Sequence, residues 1–267
     1  MTPPILSTSD LTRTFGAMAA VDQLNLDIAP GEVFGLLGPN GAGKSTTLKM
    51  LTTLLPPSAG TATIAGFDIE RQQAQVRRVI GYVPQALSAD GTLTGYENLL
   101  IFAKLYDVPR ASRRERIANA LDVMELTEAG DKLVRTYSGG MIRRLEVAQA
   151  LLHGPLVLFL DEPTVGLDPV ARKAVWKSLT ALREQTGMTI LLTTHYMEEA
   201  DSLCQRVAIM HRGRVAIIGT PDELKKSIEQ PDATLDDVFA FYTGHDLDLG
   251  GSYRDVSRGR RAARRLG

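Results

Sequence analysis

Residues 38–45 read Gly-Pro-Asn-Gly-Ala-Gly-Lys-Ser, set between the unbroken apolar run Val33–Leu37 and a helical pattern over Thr46–Leu54. The match is to G-x-x-x-x-G-K-S, in the strand–turn–helix setting that gives the pattern its meaning. Its glycines let the backbone curl until successive N–H groups face one anion, and the start of the following helix adds about half a positive charge. Lys44 can reach β- and γ-phosphates, and the Ser45 hydroxyl can ligate Mg²⁺. Gly38, Pro39, Asn40, Gly41, Ala42, Gly43 and Thr46 complete the candidate phosphate site. The rival loop, G-x-G-x-x-G, fails: counting from Gly41, Thr46 stands where the third glycine belongs. The loop predicts a nucleoside-triphosphate site on an α/β fold.

The rest of the chain agrees with that fold. Leu156–Leu160 is a second nearly unbroken apolar run and Thr189–Leu192 a third, the mark of parallel strands buried on both faces. Over the first 30 residues, Phe15 and the spaced Val21, Leu24, Leu26 and Ile28 read as antiparallel strands. Helix starts are spelled out by Thr94–Glu97 and Ser112–Glu115, both S/T-x-x-E capping boxes, and by Asp168-Pro169 and Thr220-Pro221. The stretch from about 86 to 136 reads as helical throughout, with Ile117, Leu121 and Met124 on one stripe. A helical subdomain over about 86–150, inserted into the α/β core, is the expectation.

Thirty Lys and Arg against 31 Asp and Glu leave a net charge of −1, so no basic field points to nucleic acid. One cysteine and four scattered histidines offer no zinc-ligand spacing. No apolar run approaches the roughly 18–20 residues of a membrane span, and Met1–Asp10 lacks the features of a secretory signal. Work at a membrane therefore requires a partner.

A phosphate-bound Mg²⁺ needs an acid at the end of a neighbouring strand, and Leu156–Leu160 runs into Asp161-Glu162. Asp161 is placed for the metal, and Glu162 for a general base on the attacking water. Two acids after a strand also fit a solvated turn; the phosphate loop upstream favours the chemical reading.

Tyr137-Ser138-Gly139-Gly140-Met141, followed by Arg143-Arg144, resembles the signature motif of the ATP-binding cassette (ABC) superfamily. Further motifs follow in the family's order. The resemblance implies that Phe15 stacks on adenine, Gln85 senses Mg²⁺ and water, and His195 contacts the γ-phosphate. Val165–Asp168 resembles the loop that joins two such subunits, and Ser138, Gly139 and Gly140 would face the phosphate loop of a second copy or a homologue. Two ATP molecules would then be held in a head-to-tail dimer. Ser138 is also a natural N-cap, with two glycines leaving the helix end uncovered.

Met141 stands where glutamine is usual and offers no comparable polar contact. Tyr-Ser-Gly-Gly-Met, Thr193–Asp201 and Thr234–Phe239 resemble one branch, the type-2 exporters that include daunorubicin-resistance ATPases. That resemblance implies a peripheral subunit at the cytoplasmic face of the cell membrane. It would power export of a drug-like or other hydrophobic compound through a separate integral-membrane permease docked near Gln85–Tyr106. Ions, lipids or polysaccharide are alternative cargoes, and a soluble ABC ATPase acting on ribosomes or DNA is the rival class. Residues 1–244 would form the ATPase domain, and 245–267, rich in arginine, a disordered tail.

Overall fold

The computed structural model describes residues 3–228 and 230–244. In chain order the elements are β1 (Leu6–Phe15), β2 (Met18–Ile28), β3 (Val33–Leu37), α1 (Lys44–Leu51), β4 (Ala59–Ile64), β5 (Phe67–Asp68) and α2 (Gln73–Val79). Then come β6 (Ile80–Val83), α3 (Gly95–Leu105), α4 (Arg110–Val123), α5 (Gly139–Leu151), β7 (Val157–Asp161), α6 (Pro169–Thr186) and β8 (Thr189–Thr194). The described chain closes with α7 (Met197–Leu203), β9 (Arg206–His211), β10 (Arg214–Gly219), α8 (Pro221–Lys226) and α9 (Leu235–Thr243).

Two sheets form. A four-stranded antiparallel sheet has the order β2-β1-β4-β5; a six-stranded sheet has the order β10-β9-β3-β8-β7-β6, parallel except for β10 at its edge. Phe34, Leu36, Phe159 and Leu191 of the larger sheet pack with Leu6, Val21, Leu26 and Ile64 of the smaller. On the opposite face, Leu37, Leu158, Leu160, Ile190 and Leu192 meet α3, α4, α5 and α6 through Leu99, Ile117, Leu145 and Leu179. Each such side chain contributes about 1.5–3 kcal/mol by leaving water, and β3, β7 and β8 are buried along their whole length. That double covering is why their sequences read as continuous apolar runs.

The mixed α/β fold with a phosphate loop, an antiparallel sheet and a helical part is as the sequence predicts, and the local differences have local causes. Beyond α4 the stretch 124–136 holds only two short 3₁₀ turns, Thr127–Ala129 and Val134–Thr136, and residues 86–94 are not helical at all. There the Asn98 side chain accepts from Asp90 N–H, Asp90 accepts from Thr92, and Glu146 accepts from Ser88, so side chains and not helix turns satisfy the backbone. Thr94 does cap α3 in a full capping box with Glu97. The Ser112–Glu115 box does not form: α4 begins at Arg110 behind Pro109, and Ser112 Oγ donates to Pro109 O instead. The start comes early because Pro109, with φ −56°, is already set for entry to a helix. Asp168 and Thr220 cap α6 and α8 as read. The arginine-rich segment 245–267 lies outside the described residues.

Candidate functional site

The sheet order assembles the site. Strands β3, β8, β7 and β6 are parallel neighbours, so all four end on one edge, with Leu37 beside Thr194, Asp161 beside Thr193, and Val83 beside Leu160. The segments leaving those ends begin Gly38, His195, Glu162 and Pro84-Gln85. Four stretches far apart in sequence converge because ligand sites in open α/β sheets form beyond the carboxyl ends of strands.

The phosphate loop passes from β3 into α1. Gly43 has φ 106°, and a Cβ there would run into the Ala20 carbonyl of β2, so only glycine fits. Lys44, 4% exposed, folds back over the loop and donates from Nζ to Gly38 O at 2.8 Å and Pro39 O at 3.1 Å. Ser45 Oγ donates to Asp161 Oδ1 at 3.0 Å, and Thr193 Oγ1 donates to the same oxygen at 2.6 Å.

Glu162, 6% exposed, is the hub. Its Oε1 lies 3.4 Å from Lys44 Nζ; its Oε2 accepts from Gln85 Nε2 at 3.3 Å and lies 3.3 Å from His195 Nδ1. The Glu162 backbone is left-handed, φ 48°, held there by its N–H donating to Thr193 O at 3.1 Å and Thr193 Oγ1 at 3.0 Å. Such a conformation costs a non-glycine residue on the order of 1–3 kcal/mol and persists only where surroundings fix it.

Charge is concentrated at this edge. The contact with His195 holds the Glu162 carboxyl below the usual carboxylate range; burial opposes, and Lys44 adds to the lowering. Burial pulls Lys44 down, while Glu162 and Asp161 pull it back up. Tyr82 on β6 is pushed up to about 12, by burial first and then by Asp161.

Two groups of predicted residues lie apart from this cluster. Phe15, at the tip of the β1–β2 hairpin opposite Met18, is 46% exposed, with the Arg13 guanidinium 4.8 Å from its ring centroid. With one face taken by the guanidinium, about half of the side chain is left to solvent. Ser138 caps α5 by accepting from Met141 N–H at 3.3 Å, and the two glycines behind it lie against α6 and its approach. A Cβ on Gly139 would come within 3.0 Å of Leu167 Cδ2, and one on Gly140 within 3.1 Å of Ala171 Cβ. The structure therefore brings Lys44, Ser45, Asp161, Glu162, Gln85 and His195 together, and leaves Ser138–Gly140 facing elsewhere.

Thr193 joins the site although the sequence shows it only as the start of the Thr193–Asp201 stretch; a hydroxyl at the end of an otherwise apolar strand is a usable signal. Arg143 stands out there only as part of a motif. Nothing in its sequence context says that it is buried.

Comparison with known proteins gives the family and the fold. A model of the ABC transporter family matches residues 21–165. The chain is 48% identical to the daunorubicin/doxorubicin resistance ATP-binding protein DrrA of Streptomyces peucetius, over 84% of its own length and 67% of that protein's. It is 40% identical to the linearmycin resistance ATP-binding protein LnrL of Bacillus subtilis, over 82% and 70% respectively. Among solved structures, an ATP-binding subunit of an ABC transporter superposes with a TM-score of 0.78 at 30% identity, covering 90% of this chain and 100% of that one. The chain thus spans about two thirds of the length of these two curated relatives.

Proposed function

The chain belongs to the ABC transporter family, as an ATP-binding and ATP-hydrolysing subunit, and from that premise we propose that it powers export of a drug-like, hydrophobic compound through a separate integral-membrane permease. The cargo rests on the two resistance proteins the chain resembles. The ATPase chemistry rests on one observation, the convergence of Lys44, Gln85 and His195 on a buried Glu162 beside the Ser45–Asp161 pair.

In this reading the loop N–H groups of residues 38–45 and Lys44 bind the triphosphate, and Phe15 stacks on adenine. Glu162 takes the proton of the attacking water; it is ionised at neutral pH, since its neighbours hold it low. Gln85 and His195 fix the direction of its carboxylate, and His195 also reaches the γ-phosphate. Ser45 Oγ, Asp161 Oδ1 and the Gln85 amide oxygen are hard oxygen donors of the kind Mg²⁺ selects. Held by these residues, a Mg²⁺ would supply positive charge against the charge that develops on the phosphates.

The chain carries one phosphate loop and one signature; within the chain Gly139 and Gly140 pass Leu167 and Ala171, and Ser138 and Gly139 are exposed. A second copy or a homologue, arranged head to tail, would bring its signature helix end to this phosphate loop. The uncovered N-terminus of α5 suits an anion there, at about 0.3–1 kcal/mol for an exposed helix end. The arrangement makes two complete sites from two incomplete ones.

Among the described residues no helix is long and apolar enough to cross a membrane. An exposed apolar set does exist on the helical part: Leu87 at 57%, Ile101 at 43% and Leu105 at 71%. Ile101 and Leu105 are four apart on α3 and share its face. The pair on α3 is assigned to docking of the permease, with the subunit peripheral on the cytoplasmic side. Residues 1–244 would act as one ATPase domain, in which α3, α4 and α5 form the docking part.

The test is a pull-down of the tagged chain from detergent-solubilised membranes of its host, with intact-mass identification of what accompanies it. A stoichiometric, strongly apolar partner with several spanning helices supports the exporter. Recovery with ribosomal proteins or DNA, away from any membrane protein, refutes it.

A further inference from the structure

Strand β8 delivers His195 to the site, and the chain then turns into α7. The turn is tied by Tyr196 N–H, which donates to Thr194 Oγ1 at 2.9 Å, and Tyr196 is the last residue before the helix. The Tyr196 ring lies against that of His195, with centroids 4.2 Å apart and planes tilted by 41°. The Arg172 guanidinium stands 4.2 Å from the centre of the same tyrosine ring, drawn to its electron-rich face. Arg172 closes the first turn of α6, its N–H donating to Asp168 O at 2.9 Å. A row of contacts therefore runs from Arg172 through Tyr196 to His195, whose Nδ1 lies 3.3 Å from Glu162 Oε2.

One turn further along, a second tie joins the same two helices. Trp176 Nε1 donates to Glu199 Oε1 at 2.8 Å, and Thr164 Oγ1, two residues past Glu162, donates to the same oxygen at 2.8 Å. Trp176 is four residues from Arg172 and Glu199 three from Tyr196, so both ties lie on the facing sides of α6 and α7. Thr164 and Glu199 are wholly buried. Burial pushes the Glu199 carboxyl up, and its hydrogen-bond donors and the Arg172 charge oppose that. The backbone that carries Tyr196 is thus anchored, whereas the His195 side chain is 31% exposed. The outer torsion of a histidine has only broad minima of its own. What the imidazole leans on therefore decides where Nδ1 points, and it leans on Tyr196.

We infer that Tyr196 is a positioning residue for ATP hydrolysis: braced by Arg172, its ring holds the His195 imidazole in the orientation that aims Nδ1 at Glu162. This rests on the roles given above to His195 and Glu162. Tyr196 acts on the chemistry only through His195. The flat ring carries the effect and the hydroxyl does not, so phenylalanine serves in its place. Leucine does not serve, because it has neither a planar surface for the imidazole nor the ring charge distribution that holds Arg172. A misplacement of about 1 Å can cost on the order of 10²-fold in rate, so a loosened imidazole is felt in turnover and not in binding of ATP to the phosphate loop.

The experiment compares the full chain as wild type, Tyr196→Phe, Tyr196→Leu, His195→Ala and the double variant Tyr196→Leu/His195→Ala. It measures kcat and KM for ATP hydrolysis with Mg²⁺, and the ring signals of the four histidines by NMR. Emission from Trp176, the one tryptophan of the chain, checks that α6 and α7 remain joined. Tyr196→Leu lowers kcat by about tenfold or more, leaves KM within about twofold, and moves the ring signal that His195→Ala removes. Tyr196→Phe keeps kcat within about twofold and leaves that signal in place. In the His195→Ala background the leucine changes residual turnover by less than about twofold, because residues that act through one another are not additive. Three results overturn the inference alone: a folded Tyr196→Leu with wild-type kcat, a Tyr196→Phe as slow as Tyr196→Leu, or an equal loss with and without His195. Wild-type turnover in His195→Ala overturns the role given to His195 and the inference with it. Should Tyr196→Leu fail to fold, Arg172→Gln decides: it lowers kcat severalfold at constant KM and moves the same signal, and if both stay at wild type the inference is refuted.

Discussion

Replacement of Glu162 by glutamine exchanges one oxygen for an NH₂ group and leaves the side-chain volume unaltered. Glutamine has one acceptor oxygen where the carboxylate has two. If that oxygen faces Gln85 and His195, its NH₂ is set against Lys44 Nζ, which lies 3.4 Å from the carboxylate; if it is flipped, two donors meet at Gln85 and a third at His195. Either way one charge-assisted contact is lost, worth about 1.5–3 kcal/mol. At roughly 2–4 °C per kcal/mol for a protein of this size, the melting point falls by about 3–12 °C and the fold survives. Lys44 keeps Gly38 O and Pro39 O as acceptors, so ATP binding is retained. Proton acceptance is not: loss of a general base costs about 10²–10⁴-fold, or roughly 2.7–5.4 kcal/mol in the barrier. The assay is phosphate release in a single turnover at saturating Mg²⁺ and ATP, with size-exclusion chromatography in ATP to detect accumulated dimer. Turnover within threefold of wild type would remove Glu162 as the base. The pH dependence carries a sign as well. Because the folded-state pKa is depressed, the carboxylate contributes stability above its unfolded value, about 4.3, and that contribution goes as pH falls through the lower folded value. Activity should accordingly show no acid limb from Glu162 between about pH 5.5 and 8.

Three further substitutions probe other parts. Lys44→Ala removes the buried cation beside Glu162 and should take phosphate release and transport to background together; full activity would undo the phosphate-loop assignment. Phe15→Ala should weaken ATP and ADP alike by about 5–150-fold, the roughly 1–3 kcal/mol of base stacking on an aromatic ring, read by fluorescence titration; unchanged affinity would leave Phe15 without a ligand. Thr94→Ala breaks the capping box that starts α3 and should cost about 1 kcal/mol, read as a melting point lower by about 2–4 °C with ATP affinity unchanged.

What could be read in the sequence depended on whether a residue's neighbours in the chain are its neighbours in space. The phosphate loop is local, so Gly38–Ser45 was legible outright, as were β3 and most of β7 and β8 from their double burial. The apolar run at Leu156 overstated β7 by one residue, because Leu156 is half exposed before the strand begins. Gln85 and His195 needed a family pattern to be noticed, since only the order β3-β8-β7-β6 brings them to Glu162. Ser112 misled because its local pattern is a cap, while Pro109 three residues earlier had already fixed the entry. Arg143 and Glu146 were opaque for a different reason. Charges three apart on a helix ordinarily face water, and only the tertiary packing puts both in the interior.

The left-handed backbone of Glu162 makes that position a place where two selections act separately. A library of all residues at 162 should sort by melting point in one order and by turnover in another. Glycine and asparagine, at ease with φ near 48°, would relieve the backbone but forfeit the carboxylate's contacts with Lys44, Gln85 and His195, and would abolish hydrolysis. Valine and isoleucine would lose both. Aspartate would hold the conformation yet set its carboxylate one methylene short of Gln85 and His195. A glutamate standing there against its own backbone preference carries a conformational cost that the base role proposed for it would account for.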